Sequence, residues 1–265
     1  MFRRVCLSAL LGLAACAFAE NVPPLDEEQI RDAEFIQNLS IPNAGELFTA
    51  FSKSAKPDWS AFFRRQPPTP HTSRPLIALN LGTRIADGFL AAEAQDRQQV
   101  KNLSTEIKLL AKSLGFEQEF VGRSNSIADF ADNRQWDALD EELEAVQTEL
   151  AAAMNAQRDD HLAILMSLGC WLRAVEIASS HLASAYTAEG AKILRQPGVG
   201  AYFVTRLGTL PARTKALPVV AELQQRLPAL DAALSSPAEN RPTGEAVAVM
   251  RDLAAGMVNL ITAPE

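Results

Sequence analysis

Two stretches of this chain set charged side chains among almost nothing but apolar neighbours. Asn80, Arg84 and Asp87 follow one another at i, i+4 and i+7, and Arg173, Glu176 and Ser180 follow at i, i+3 and i+7 later in the chain. On a helix, residues so spaced share one face. Arg84 and Asp87 are the only formal charges in residues 75–92, as Arg173 and Glu176 are in residues 162–184. A helix this lean in charge is normally buried, and a buried charge must be paired to offset its desolvation. Asn80, Arg84, Asp87, Arg173 and Glu176 are therefore the candidate site, read as a structural or ligand-binding polar cluster, with no catalytic residue assigned. The simpler alternative is two narrow wetted stripes. If the two helices are antiparallel neighbours, Arg84 comes level with Glu176 and Asp87 with Arg173, giving two reciprocal ion pairs. A parallel pair would oppose like charges.

The other reactive groups carry less. Cys170 lies in Leu168-Gly169-Cys170-Trp171-Leu172, three residues before Arg173. A thiol becomes a nucleophile only when its pKa is lowered and reactants reach it, so within an apolar helix Cys170 reads as a small hydrophobe. His161 follows Asp159 and Asp160 at a helix start, and His181 sits among Ser179, Ser180 and Ser184, as a polar edge residue would. Neither these nor His71 has a Glu three residues before it, and no H-E-x-x-H, C-x-x-C-H or Walker loop occurs, so neither metal nor cofactor is expected. Gly198-Val199-Gly200 lacks the third glycine of a dinucleotide turn, and Gly122-Arg123-Ser124-Asn125-Ser126 lacks the closing glycine of a nucleophile elbow.

The elements that must position these groups are helices. Apolar residues recur at three and four positions, and no stretch alternates with period two. The pattern predicts helices at about 25–38, 43–54, 57–65, 75–95, 97–114, 117–131, 134–156, 159–185, 187–195, 199–208, 217–235 and 242–262. Asp96, Asn133 and Thr187 are candidate N-caps, and Gly115 and Pro197-Gly198 mark stops. The fold expected is all-α, an antiparallel multi-helix bundle with an N-terminal helical arm. Its parts are an arm over 20–65, a Pro-rich linker over 66–74 and a core over 75–265. The arm carries Phe48, Phe51, Trp59, Phe62 and Phe63, rings suited to anchoring it on the core. The helices at 75–92, 162–184 and 245–262 are the leanest in charge and should be central. The 162–184 segment could by length cross a membrane, but Arg173 and Glu176 in its middle oppose that. Residues 134–156 carry Asp137, Asp140, Glu141, Glu142, Glu144 and Glu149, a solvated acidic face with no calcium-loop spacing.

Residues 1–19 have a basic head at Arg3 and Arg4, an apolar run, and Ala17-Phe18-Ala19 as a small-residue exit, the order of a secretory signal peptide. Leu13-Ala14-Ala15-Cys16 competes as a bacterial lipobox, which makes Cys16 the lipidation candidate. The first outcome predicts a periplasmic or secreted protein, the second a membrane-anchored lipoprotein. Losing Arg3 and Arg4 turns 25 basic residues into 23 against 32 acidic ones, moving the net charge from −7 to −9. That surface repels phosphate, so nucleic acid is not an expected partner. With Cys6 and Cys16 gone from the body, Cys170 has no mate for a disulfide. The chain thus reads as an exported envelope protein without a transmembrane helix in its mature form. It would bind or scaffold an envelope protein or small ligand rather than catalyse, the alternative being a helical enzyme that uses the interior Arg/Asp/Glu cluster.

Overall fold

The computed structural model describes residues 41, 43–54, 57–64, 71–235 and 241–264; residues 1–19, expected to be a signal peptide, with Cys16 among them, the helix expected at 25–38 and most of the Pro-rich linker lie outside them. Among the described residues there are eleven α-helices and no strand. They are α1 (Ala44–Ser54), α2 (Arg74–Glu93), α3 (Arg97–Leu114), α4 (Glu117–Asp132), α5 (Trp136–Ala156) and α6 (Asp160–Ser184), then α7 (Ala188–Ile193), α8 (Val199–Gly208), α9 (Ala212–Lys215), α10 (Pro218–Leu234) and α11 (Gly244–Thr262). The helix expected at 57–65 is a single 3-10 turn, Trp59–Phe62, entered from Pro57 and Asp58.

Helices α2, α6 and α11, the three leanest in charge, form the centre, with α2 against α6 the most extensive contact and α11 against α6 the next. Helix α6 is long and apolar enough to cross a membrane, yet its apolar window is 89% buried within the protein. Glycine explains how α2 and α6 come so close. A Cβ on Gly82 would fall on the backbone carbonyl of Met166, and one on Gly169 on that of Leu79. The two backbones therefore touch where neither carries a side chain.

From α2 to α6 the chain runs through short connections of one design. Gln95, Gly115, Arg134 and Arg158 each have positive φ, at 55°, 91°, 56° and 62°. The N–H of the next residue bonds the carbonyl five positions back, from Asp96 to Ala91, Phe116 to Ala111, Gln135 to Phe130 and Asp159 to Met154. This is the Schellman closure, which satisfies orphan carbonyls at a helix end and turns the chain back. Asp96 and Thr187 cap the helices that follow, accepting from the N–H of Gln99 and Gly190. Asn133 does not: it ends α4, and α5 starts after Gln135.

Direction follows from contacts. Arg74 reaches the Leu114 carbonyl and Arg84 reaches Glu106, so α2 and α3 run oppositely. Between α2 and α6 the partners ascend together, Arg74 with Asp159 and Asp87 with Arg173. These two helices therefore run in the same sense, not antiparallel as the charge spacing had suggested.

Phe48, Phe51 and Trp59 are buried, and Phe62 and Phe63 are half-buried against the same core. Trp59 donates from Nε1 to Ser52 Oγ at 3.2 Å, and that hydroxyl donates to Glu93 at 2.6 Å. At the other side, Trp171 of α6 donates to Gln196 at 2.7 Å and stacks near Phe203, which ties the α8–α10 pair to the centre.

Three substitutions test this architecture. Gly82→Ala should lower stability by at least about 1–3 kcal/mol, because helix backbones must separate to admit the methyl group. Gly122→Ala on α4, where nothing lies within 4 Å, should raise it by about 0.5–1 kcal/mol. Urea midpoints measure both, and equal responses would contradict the close approach. Trp59→Ala should cost about 3–5 kcal/mol in the same assay, as other buried aromatics do.

Candidate functional site

The interior cluster is built around one carboxylate. Asp87 is 5% exposed and lies on α2 one turn after Arg84. Its Oδ1 accepts from Arg173 Nε at 2.7 Å. Its Oδ2 accepts from Arg64 Nη2 at 2.9 Å and Arg84 Nη1 at 3.2 Å. Arg173, 2% exposed, then spends its other nitrogens on Glu176 Oε2 at 2.8 Å and on the Phe62 carbonyl at 2.7 Å. Arg84 closes the far end with Nε 2.9 Å from Glu106 on α3.

The result is a chain, Glu106–Arg84–Asp87–Arg173–Glu176, with Arg64 laid on its middle: three cations against three anions. Of the two expected cross-helix pairs, Asp87 with Arg173 is made. Arg84 and Glu176 are held instead by Glu106 and by Arg173 respectively. Because α2 and α6 run in the same sense, the charges alternate by interleaving along the chain rather than by reversal. Asn80 stands apart: its amide donates to the carbonyls of Leu76 at 3.0 Å and Ile261 at 2.8 Å, so it caps the end of α11. Arg64 and Glu106 are the members that sequence spacing missed. Arg64 lies next to the linker and Glu106 on an otherwise polar helix face, so neither stands out by composition.

Electrostatics follow from this geometry. Burial pushes the Asp87 carboxyl up, but the guanidiniums of Arg173, Arg64 and Arg84 outweigh it and hold the group down at about 2. Burial pulls the Arg173 guanidinium down, yet Asp87 and Glu176 carry it above its ordinary value. For Arg64 burial wins over its one bonded carboxylate, and its Nε and Nη1 are buried without a partner. A carboxylate so acidic is a poor proton acceptor at neutral pH, so the cluster suits bracing better than general base catalysis.

Cys170 is buried, with Sγ 3.8 Å from Gln147, and burial pushes its thiol up to about 12. It is thus the inert packing thiol that its neighbours suggested. His181 packs edge-on to Phe51 and Phe62 at 5.9 and 6.2 Å and beside Trp59 at 6.1 Å, with burial pulling its pKa down. Among the described residues no three His, Cys, Asp or Glu side chains gather closely enough to hold a metal ion.

Open space lies elsewhere. A cleft of about 390 Å³ separates α1 from α5, with Phe89 at its floor and Glu46, Asp140, Glu141 and Glu144 around it. A second, of about 550 Å³, shares Asn43, Glu46 and Glu144 and continues past Ala151 to Asn155. Asp140 is the unsettled group here. Its Oδ1 is buried without a partner, and burial, then Glu93 and Asp137, push its carboxyl up to about 7. Sequence reading assigned Asp140 to a solvated face; the structure half-buries it near Glu93 of α2, a long-range proximity that helical periodicity cannot register.

Asp87→Asn should destabilise by about 3–5 kcal/mol, because it strands buried guanidiniums. Glu106→Gln, at the 39% exposed end of the chain, should cost less than about 1 kcal/mol. Since the folded pKa of Asp87 lies below its ordinary 3.8, the stability it adds is fully present above pH 4 and lost as pH falls through about 2. Urea titrations of wild type and Asp87→Asn from pH 5 to pH 2 check this: the gap between them should close with acid, and a constant gap would contradict it.

Compared with family models, with curated proteins and with solved structures, the chain matches none.

Proposed function

We propose that this chain is an exported, non-catalytic protein of the cell envelope that binds or scaffolds a partner protein or small ligand on its helical surface. The observation that carries this reading is the division of labour between its two polar regions. Each carboxylate and guanidinium of the interior cluster is bonded to another protein group, and the arm residues Phe62 and Arg64 close over it. The clefts along α5 are open, and Asp140 at the edge of one keeps a buried oxygen without a partner. Export rests on the basic head, apolar run and small-residue exit of residues 1–19, either as a soluble periplasmic or secreted chain or as a lipoprotein anchored through Cys16. The rival, a helical enzyme using Arg84, Asp87, Arg173 and Glu176, has in its favour only the perturbed ionisation of Asp87, and structural ion pairs perturb pKa as well.

Two measurements bear on this. Intact mass of the protein recovered from envelope fractions should show a chain starting at Glu20, or at a lipidated Cys16; a cytosolic chain starting at Met1 would rule out export. Photo-crosslinking residues placed one at a time on exposed positions of α1, α5 and α11 in the native host should give adducts at a defined subset of positions. Adducts at none of them would contradict a binding role.

A further inference from the structure

We infer that the groove between α1 and α5 is a docking site for a basic, amphipathic peptide segment of a partner protein, an inference that rests on the binding role proposed above. Shape is the first argument. The two clefts share Asn43, Glu46 and Glu144, so they form one continuous trough. Along α5 its lining runs from Asp140 to Asn155, and at 1.5 Å per residue those 15 steps span about 22 Å. That length matches about four turns of helix, whereas a small ligand would fill only one end. The floor offers Phe89, Gly45 and Ala50 at one end and Ile41, Ala151 and Ala152 at the other, the small apolar surface on which a helix can lie.

Charge is the second argument, and it fixes the sign and polarity of the occupant. One end carries Glu46, Asp140, Glu141 and Glu144 against Lys53 alone, with Glu93 and Asp137 just behind. Gln147, Thr148 and Asn155 at the other end are uncharged. The hydroxyls of Thr49 and Ser52 satisfy Glu93 at 3.2 and 2.6 Å. Asp140 receives no such help, since its Oδ1 is buried and unpartnered. A lysine or arginine side chain seated at this end supplies the positive charge that the carboxylates around Asp140 lack, while the peptide's apolar face covers the rest of the trough. A bare metal ion fits less well, because among the described residues no three candidate ligands converge.

Asp140 also gives the site a pH signature. Among the described residues, the charged groups around it are the carboxylates of Glu93 on α2, Asp137, Glu141 and Glu144 on α5 and Glu46 on α1, with Lys53 as the base lining the cleft. Burial, then Glu93 and Asp137, push its carboxyl up to about 7, so it gains its charge, and with it a stronger pull on a cation, as pH rises through neutrality.

The test is calorimetric titration of the intact mature protein with three probes at low salt and pH 8: a 14-residue Lys/Leu amphipathic helix, its Glu/Leu counterpart, and butylammonium. The Lys/Leu peptide should bind, and the Glu/Leu peptide should not. Asp140→Asn should weaken binding on the order of tenfold and Glu144→Lys by more, whereas Asp252→Lys on α11 should leave it within about twofold. Lowering the pH to 5.5 should weaken the wild type and leave Asp140→Asn nearly unchanged. Asp140→Asn is isosteric and removes a like charge, so its thermal midpoint at pH 8 should rise, separating lost binding from lost folding. Equal binding of both peptides, equal weakening by Asp252→Lys, or butylammonium matching the peptide would each overturn the inference. If the Lys/Leu peptide fails while crosslinks gather on another face, the groove is wrong and the binding role stands.

Discussion

Helices α2 and α6 can meet backbone to backbone only because Gly82 and Gly169 present no side chain at the crossing. Much of the interior depends on that approach. It leaves no room between the two helices for a long apolar side chain and so brings Asp87 within 2.7 Å of Arg173. Once that pair is desolvated, each member has bonding capacity left over, and the protein fills it from outside the pair. Arg173 reaches the Phe62 carbonyl, Asp87 receives Arg64, and the segment between Trp59 and Arg64 is thereby fixed across both helices. Trp59 and Phe62 then cover His181. A steric fact at two glycines thus leads, through the cost of unpaired charge, to the seating of the arm.

The direction of the chain decides how those charges alternate. Four Schellman closures reverse it between α2 and α6, so the first and fifth helices of that series run in the same sense. Two helices with Arg before Asp or Glu at the same spacing would, in that arrangement, set like charges level if they lay in register. They do not oppose one another because each arginine bonds the acid three residues on in its own helix, and only Asp87 is shared across the interface. Glu106 and Arg64 enter from neighbouring elements to balance what remains. The arrangement is neutral in sum without being symmetric.

Much of this was legible in the chain. The helical class, most of the helix spans and the central trio α2, α6 and α11 follow from apolar periodicity and the scarcity of charge, which report burial directly. Four of the five candidate residues meet because a charge in an apolar helix has few places to go. Other features were hidden for identifiable reasons. Three of the four helix reversals use Gln95, Arg134 and Arg158 at positive φ, where glycine is the residue one looks for. Antiparallel pairing was inferred from charge complementarity between two helices alone, and the third and fourth partners that relieve that constraint lie on other elements. Asn80 shares the helical face of Arg84 but bonds the end of α11, since face sharing says nothing about which neighbour lies beyond.

The contrast between Asp87 and Asp140 separates structure from surface function. Both are carboxylates pushed up by burial. At Asp87 three guanidiniums reverse the effect; at Asp140 the charged neighbours that matter are carboxylates, and they add to it. A fold free to optimise stability alone would place an amide or a cation at such a site, because an acid with a buried unpaired oxygen and like-charged neighbours costs free energy at neutral pH. Its interior recruits residues from four different segments around Asp87 and leaves the Nε and Nη1 of Arg64 without a partner there. What sets Asp140 apart from those nitrogens is its place beside an open trough among like charges, where an arriving cation would relieve the repulsion.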